Sequence, residues 1–434
     1  PTAQLNVLST TQLEQLTAAQ TQYLSDLDVA FLLGKGYSLL SNPAGLTTGI
    51  ETSLTIEAAD TATLIIAGRK GATISGGSAD DTIFGSPTGD SITGGTGSDS
   101  IDAGAGNDII TFDSNDTIDG NLGKDTLVAT AAISGLADDS ILNVENVTVS
   151  GAFSTSFANQ TENLNISVAT TDTATNRHTI TGGQGNDSIT GGSAFDTITG
   201  GKGMDVLTGG LGGDTFIFAA GDNGDAPSSL VFDTITDFAA GDIIDFGTTT
   251  ISIVPVATVA VSGTASISST GLASFKSSDT TLSLRLTAVE DAIATSGSFA
   301  AGNSATFTVG SDSYLFVSDS TTGLSSNDVL IKLQNYTTTG EVIKGGDVVK
   351  PYTVSEFTSV YTNAIANDVV YVYDTLSNVS TALATATTGL TANDAIIDGI
   401  AITTTSVAAA TVNTIDAGIT AVIDISAATT VTGV

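Results

Sequence analysis

A nine-residue period that begins at Gly76 constrains this chain more tightly than any other feature. Gly76-Gly77-Ser78-Ala79-Asp80-Asp81-Thr82-Ile83-Phe84 is followed by copies from Gly85, Gly94 and Ala103, an eight-residue copy from Phe112 and a full one from Gly120. The pattern returns from Gly182, Gly191, Gly200 and Gly209. Each copy follows G-G-x-G-x-D-x-U-x, with U a large apolar residue. The sixth positions hold Asp81, Asp90, Asp99, Asp108, Asp116 and Asp125, then Asp187, Asp196, Asp205 and Asp214. The eighth hold Ile83, Ile92, Ile101, Ile110, Ile118 and Leu127, then Ile189, Ile198, Leu207 and Phe216.

The residue types at these spacings point to a ligand. Glycines at the first, second and fourth positions permit the left-handed angles of a tight loop and let carbonyl oxygens converge without a Cβ in the way. The last three residues of each copy form a short strand with the eighth side chain inward. Two copies make one coil of a parallel β-roll, so loops eighteen residues apart stack on one edge. Each stacked pair faces a cation with Asp oxygens and backbone carbonyls; Asp80, Asn107 and Asn186 at the fifth positions are auxiliary oxygens. Oxygen ligands in a flexible cage select Ca2+ over zinc or copper, and Mg2+ would ask for a stricter octahedron.

These nonapeptides resemble the RTX calcium-binding repeats of proteins exported by type I secretion. Asp233-Thr234-Ile235-Thr236-Asp237-Phe238, continuing through Gly241-Asp242-Ile243-Ile244-Asp245-Phe246, resembles the ending that closes such a roll. Asp237, Asp242 and Asp245 read equally well as ligands or as turn residues, and Asp237 is a candidate ligand. The Thr, Ser and Ala-rich surroundings resemble those of bacterial surface-layer proteins. The resemblance implies a mostly all-β fold: a calcium-binding parallel β-roll or β-solenoid with an N-terminal helix and C-terminal β-rich modules.

Charge sharpens the reading. Acidic residues number 46 against 11 basic ones, a formal net charge of −35. That excludes a nucleic-acid binder, which needs a basic footprint, and argues against docking on anionic lipid. Such self-repulsion opposes compaction unless cations neutralise it. Folding and calcium binding are therefore expected as one process outside the cell, where calcium modules work at about 10⁻⁴ to 10⁻³ M. The lack of Cys removes disulfides and thiolate metal sites. No run reaches the length of a membrane-spanning helix. Pro1-Thr2-Ala3-Gln4 lacks the features of a signal peptide and reads as the start of a fragment or processed form.

Four regions are expected. Residues 1–57 carry a helix over 10–33, with Leu13, Leu16, Tyr23, Leu24, Leu27 and Phe31 as its apolar stripe, capping the solenoid ahead of leading strands. Residues 58–247 form the roll in two repeat blocks, joined by a metal-free solenoid section. In that section Val144-Glu145-Asn146-Val147 and Thr161-Glu162-Asn163-Leu164 are read as equivalent positions of successive coils. Two coils lack the sixth-position Asp: Ala72 stands there in Gly71-Ala72-Thr73-Ile74, and His178, the only histidine, stands nine before Asp187. His178 is read as structural rather than catalytic.

Residues 248–349 are a β-rich assembly module, with strands at Ile251–Val261, Ala305–Val309, Ser313–Val317 and Val329–Leu333 around a helix from Leu282 to Ala294. Residues 350–434 form another β-rich module with a short helix, Val354–Ile365.

One His excludes an H-E-x-x-H metalloprotease, and no G-x-S-x-G is present. The expectation is non-enzymatic: a calcium-dependent structural protein of the bacterial surface, extracellular, self-assembling into a surface-layer lattice or filament. Lipopolysaccharide or another surface glycan is a further expected partner. The alternatives are an RTX adhesin or filament subunit binding a surface ligand, and the accessory region of a secreted enzyme.

Overall fold

Inward β-branched side chains every nine residues make strands that cannot bury their apolar face alone, so each must stack on the next. A computed structural model describes residues 71–151, 153–170, 172, 176–222, 230–257 and 261–337, with short strands on either side of that span. The regions read as helices over 10–33 and 354–365 lie outside the described residues. The chain divides into two compact units, Pro1–Thr171 with Thr181–Ser188, and Asp172–Ile180 with Ile189–Val434.

In the first unit, successive strands alternate between two parallel sheets. One runs Leu39–Ser41, Leu64–Ile66, Thr82–Phe84, Ser100–Asp102, Thr117–Asp119 and Ile141–Leu142. The other runs Leu54–Glu57, Ala72–Gly77, Ser91–Gly95, Ile109–Thr111, Thr126–Ala129, Asn146–Val149 and Asn165–Val168. Register puts like on like: Ile74 pairs with Ile92, Ile92 with Ile110, and Ile110 with Leu127. Ile65, Ile83, Ile101 and Ile118 form the matching column on the facing sheet. Both columns are buried, which makes the interior a β-roll core of stacked aliphatic side chains.

The parallel pairing runs on through the section without Gly-Asp loops, but the two Glu-Asn pieces are not equivalent. Asn146 pairs with Asn165, so Glu145 lies level with Leu164 rather than with Glu162. The coil is longer than its sequence likeness suggests because it includes the turn Phe157–Gln160, closed by Gln160 N–H donating to Phe157 O at 2.8 Å. Phe157 is fully buried there, and Val147 still packs on Ile166.

In the second unit one sheet runs Val206–Thr208, Asp233–Ile235, Val329–Leu333, Asp312–Val317, Asn303–Val309 and Ser252–Ile253. Pairing is parallel as far as Val329–Leu333 and then antiparallel through the hairpin of 303–317. The other sheet stacks Thr197–Thr199, Thr215–Ile217 and Ile243–Asp245 in parallel and ends on the antiparallel Asp347–Val349 and Val342–Lys344.

The helix Leu282–Ala294 starts at Thr281, whose side chain accepts from Leu284 N–H. It buries Leu286, Val289 and Ile293 in a core with Phe307, Tyr314 and Phe316. Of the strand read over 251–261, the described residues up to 257 form Ser252–Ile253 along the sheet; Pro255 has no N–H for a ladder, and Val256 bridges instead to Ile267. Among the described residues no helix is long and apolar enough to cross a membrane.

Adjacent residues test this core. Ile110 is fully buried and Ile109 is 52% exposed. Ile110→Ala is expected to lower unfolding stability by about 2–5 kcal/mol, and Ile109→Ala by no more than roughly 0.5 kcal/mol. Urea unfolding in calcium, followed by circular dichroism, measures both.

Candidate metal centre

A carboxylate taken out of water must find hydrogen-bond donors or a cation. All ten sixth-position aspartates are buried, and the first oxygens of Asp90, Asp99, Asp108, Asp116, Asp125, Asp187, Asp196 and Asp214 accept from the neighbouring coil. Along one edge of the first unit, Asp81 N–H donates to Asp99 Oδ1 at 2.8 Å and Asp99 N–H to Asp116 Oδ1 at 3.0 Å. Along the other, Ala72 N–H donates to Asp90 Oδ1 at 2.5 Å, Asp90 N–H to Asp108 Oδ1 at 2.7 Å and Asp108 N–H to Asp125 Oδ1 at 2.8 Å. Leu164 N–H likewise donates to Asp187 Oδ1 at 2.8 Å. In the second unit the donors are His178 to Asp196, Asp196 to Asp214 and Asp205 to Asp233, all at 2.8 Å, and Asp214 to Asp242 at 2.9 Å.

The second oxygens divide the loops into two kinds. In closed loops the loop's own backbone donates to Oδ2: Ser86 N–H to Asp90 at 2.6 Å, Gly183 to Asp187 at 2.6 Å, Gly192 to Asp196 at 2.7 Å and Asp113 to Asp116 at 2.8 Å. In open loops, those of Asp99, Asp108, Asp125 and Asp214, Oδ2 is buried with no hydrogen-bond partner. Backbone conformation separates the two. The open loops hold left-handed residues at their second and fourth positions, Gly95 and Gly97, Gly104 and Gly106, Asn121 and Gly123, Gly210 and Gly212. In the closed loops the donors Ser86, Gly183 and Gly192 are not left-handed.

At the open sites of Asp99, Asp125 and Asp214, space is set by a first-position glycine, Gly94, Gly120 and Gly209, whereas Ala103 holds that place before Asp108. A Cβ on Gly120 would stand 2.3 Å from Asn143 O and 2.7 Å from Asp125 Oδ2, and one on Gly209 would stand 2.4 Å from Asp214 Oδ2. A carboxylate oxygen and a carbonyl oxygen thus converge where no side chain fits. Among the described residues, no three Asp, Glu, His or Cys side chains form a metal-holding group. Such sites draw one carboxylate from a loop and their remaining oxygens from backbone. An all-oxygen set of this kind fits Ca2+ and not zinc.

Burial pushes these carboxyls upward, and neighbouring carboxylates push further. Asp108 rises to about 7, Asp116 to about 6 and Asp214 to about 8. Asp90, Asp99, Asp125 and Asp187 are raised by burial too.

The fifth-position residues lie elsewhere. Asp80, Asn107 and Asn186 sit on exposed loop tips and stitch coils together. Asp80 Oδ1 accepts from Ser98 N–H at 2.8 Å, Asn107 Oδ1 accepts from Lys124 N–H at 3.1 Å, and Asn186 N–H donates to Asn163 Oδ1 at 2.7 Å. Asp237 accepts from Gly209 N–H at 3.0 Å and Gly210 N–H at 2.8 Å, one oxygen to each.

Three ladder positions escape the nine-residue reading. Glu145 accepts from Asp125 N–H at 2.9 Å, and Asp233 and Asp242 close the ladder in the second unit. Their signal is an acid two residues before an inward apolar side chain, as in Asp233-Thr234-Ile235. The step of 28 residues between ladder partners there hides it from a search at eighteen.

A family model of the RTX calcium-binding nonapeptide repeat matches in four copies, at residues 84–114, 109–127, 113–131 and 181–216. These stretches carry nine of the ten sixth-position aspartates, all but Asp81, and RTX nonapeptide repeats bind calcium ions. No curated protein matches the chain.

The raised carboxyls give metal-free protein a defined pH response. Asp108, Asp116 and Asp214 have folded pKa values above their unfolded ones, so their stabilising contribution is complete below about pH 4 and is lost as pH rises through about 6 to 8. In EGTA, β-structure by circular dichroism is expected to persist near pH 5, to fall away by roughly pH 8, and to return there on adding calcium.

Proposed function

We propose that the protein is a secreted, calcium-dependent structural protein of a bacterial cell surface that assembles with copies of itself into a lattice or filament. The observation that carries this reading is the ladder of buried carboxylates, in which Asp99, Asp108, Asp125 and Asp214 each keep one buried oxygen without a donor. Calcium, when bound, supplies the positive charge that those oxygens and a formal net charge of −35 require.

The chain's own residues do the rest. Asp99, Asp108, Asp125 and Asp214 are the primary ligands, with Asp81 and Asp205 in the same sixth-position role on their own Gly-Gly loops. First-position glycines keep the cradle open at Asp99, Asp125 and Asp214, and left-handed residues hold the loop N–H groups off Oδ2. Export in an unfolded, self-repelling state and folding at extracellular calcium follow from that coupling. Self-contact is supported by the strand-rich second unit and by loop-tip residues such as Leu122 and Leu211, each more than 70% exposed.

A second reading, an adhesin whose roll is an extender, draws support from one feature. The second unit holds a cleft of about 500 Å3 lined by Phe218, Phe246, Val317, Asp319 and Asn327, a mixed apolar and polar lining suited to a sugar. Light scattering during a calcium titration separates the two. Ordered assemblies that appear near millimolar calcium and dissolve in EGTA support the lattice, whereas a folded monomer retained on immobilised surface glycan supports the adhesin.

Gly209→Ala is expected to raise the calcium concentration at half-folding by roughly tenfold, about 1.4 kcal/mol, because its Cβ takes the space beside Asp214 Oδ2. Circular dichroism against calcium concentration measures that midpoint.

A further inference from the structure

His178 takes the sixth-position slot in the second unit's ladder, where a carboxylate would otherwise stand. Its backbone N–H donates to Asp196 Oδ1 at 2.8 Å, as an aspartate's would. Its ring does something no aspartate does. Nδ1 lies 3.3 Å from Asp196 Oδ1 and Nε2 lies 3.0 Å from Asp172 Oδ2, with the ring and the Asp196 carboxylate almost fully buried. Ionised carboxylates only accept, and a neutral imidazole has a single N–H to donate. A ring with a carboxylate oxygen at each nitrogen ties the two side chains together, one on either side of the imidazole.

Asp196 is thereby fully engaged. One oxygen takes the backbone N–H and ring of His178, and the other takes Gly192 N–H at 2.7 Å. Its loop is of the closed kind, unlike that of Asp214 one coil further on, whose Oδ2 is buried without a partner. Arg177, over the Phe195 ring at 4.8 Å, brings a protein cation to this coil and offsets part of the charge on Asp214.

We propose that His178 is a built-in substitute for a calcium ion: it joins Asp172 to Asp196, so that the first coil of the second unit folds without metal and Asp196 is not a calcium ligand. The coil then stands as a preformed template, with its Asp196 N–H already aimed at Asp214, on which the first metal-dependent loop closes. This rests on the calcium reading of the repeats and narrows it, since it removes from the ligand set an aspartate that the repeat pattern places there.

Two measurements on the full chain test it. Equilibrium dialysis at saturating calcium, with the metal counted by atomic absorption, compares wild type, Asp196→Asn and Asp214→Asn. The Asp196→Asn protein is expected to bind as many ions as wild type, and the Asp214→Asn protein fewer; a lower count for Asp196→Asn overturns the proposal. Hydrogen exchange in EGTA compares wild type with His178→Ala. Amides at 178–180 and 197–199 are expected to be protected in wild type and to exchange at least roughly tenfold faster in the variant. Equal exchange in the two proteins, whether fast or slow, overturns the proposal. A wild-type chain that binds no calcium at all would instead sink the calcium reading, while the exchange comparison would still report on His178.

Discussion

One interaction recurs along the repeat-bearing coils: a buried aspartate whose first oxygen accepts the N–H of the sixth-position residue one coil before it. It makes each coil the hydrogen-bonding partner of the next, and it places a negative charge where water cannot reach. The aliphatic columns of Ile74, Ile92, Ile110 and Leu127 supply the cohesion of the roll. The carboxylate ladder decides whether that cohesion can be realised, because stacked buried charges of one sign repel unless a proton or a cation neutralises them.

Neutralisation takes several forms here. Closed loops spend their own backbone N–H groups on the second oxygen, and open loops leave that oxygen for a metal. At His178 an imidazole between two carboxylates does the same work from within the chain. Where the repeats lapse, Glu145 reaches into the ladder with a longer side chain, and Leu164 removes the charge by taking the slot with an apolar one. All of these answer the same electrostatic problem, and each sets a different dependence on solution conditions. Calcium sites respond to chelators, and carboxyls raised by burial, those of closed loops such as Asp116 included, respond to pH.

The closing strands show how the roll ends without exposing its apolar interior. Asp233–Ile235 and Ile243–Asp245 add a last pair of rungs, and the sheets then run into Val329–Leu333 on one side and Asp347–Val349 on the other. The change from parallel to antiparallel pairing along these sheets marks where repetition stops. A core of aromatic and aliphatic side chains around the helix Leu282–Ala294 takes over there. That core contains Phe307 stacked on Tyr314 at 5.6 Å, the kind of unique packing a periodic coil cannot supply.

By itself the sequence determined the period, the inward Ile and Leu columns, the ladder of aspartates, the helix at 282–294 and the oxygen chemistry of the sites. Apart from the helix, which its Thr281 cap and local apolar spacing write, these depend on contacts between a residue and its counterpart one coil away, and a repeat writes such contacts directly into spacing. Only the tertiary structure decided which carboxylates keep an oxygen for a metal. That depends on loop φ angles: Gly182-Gly183-Gln184-Gly185-Asn186-Asp187 satisfies the pattern at every position and still closes on itself. It also decided that Asp233 and Asp242 join the ladder across 28 residues, that Glu145 lies level with Leu164, and that His178 finds Asp172 six residues before it. Insertions change spacing without changing which side chain must face inward. Burial and hydrogen bonding therefore choose the register there, and no local pattern records the choice.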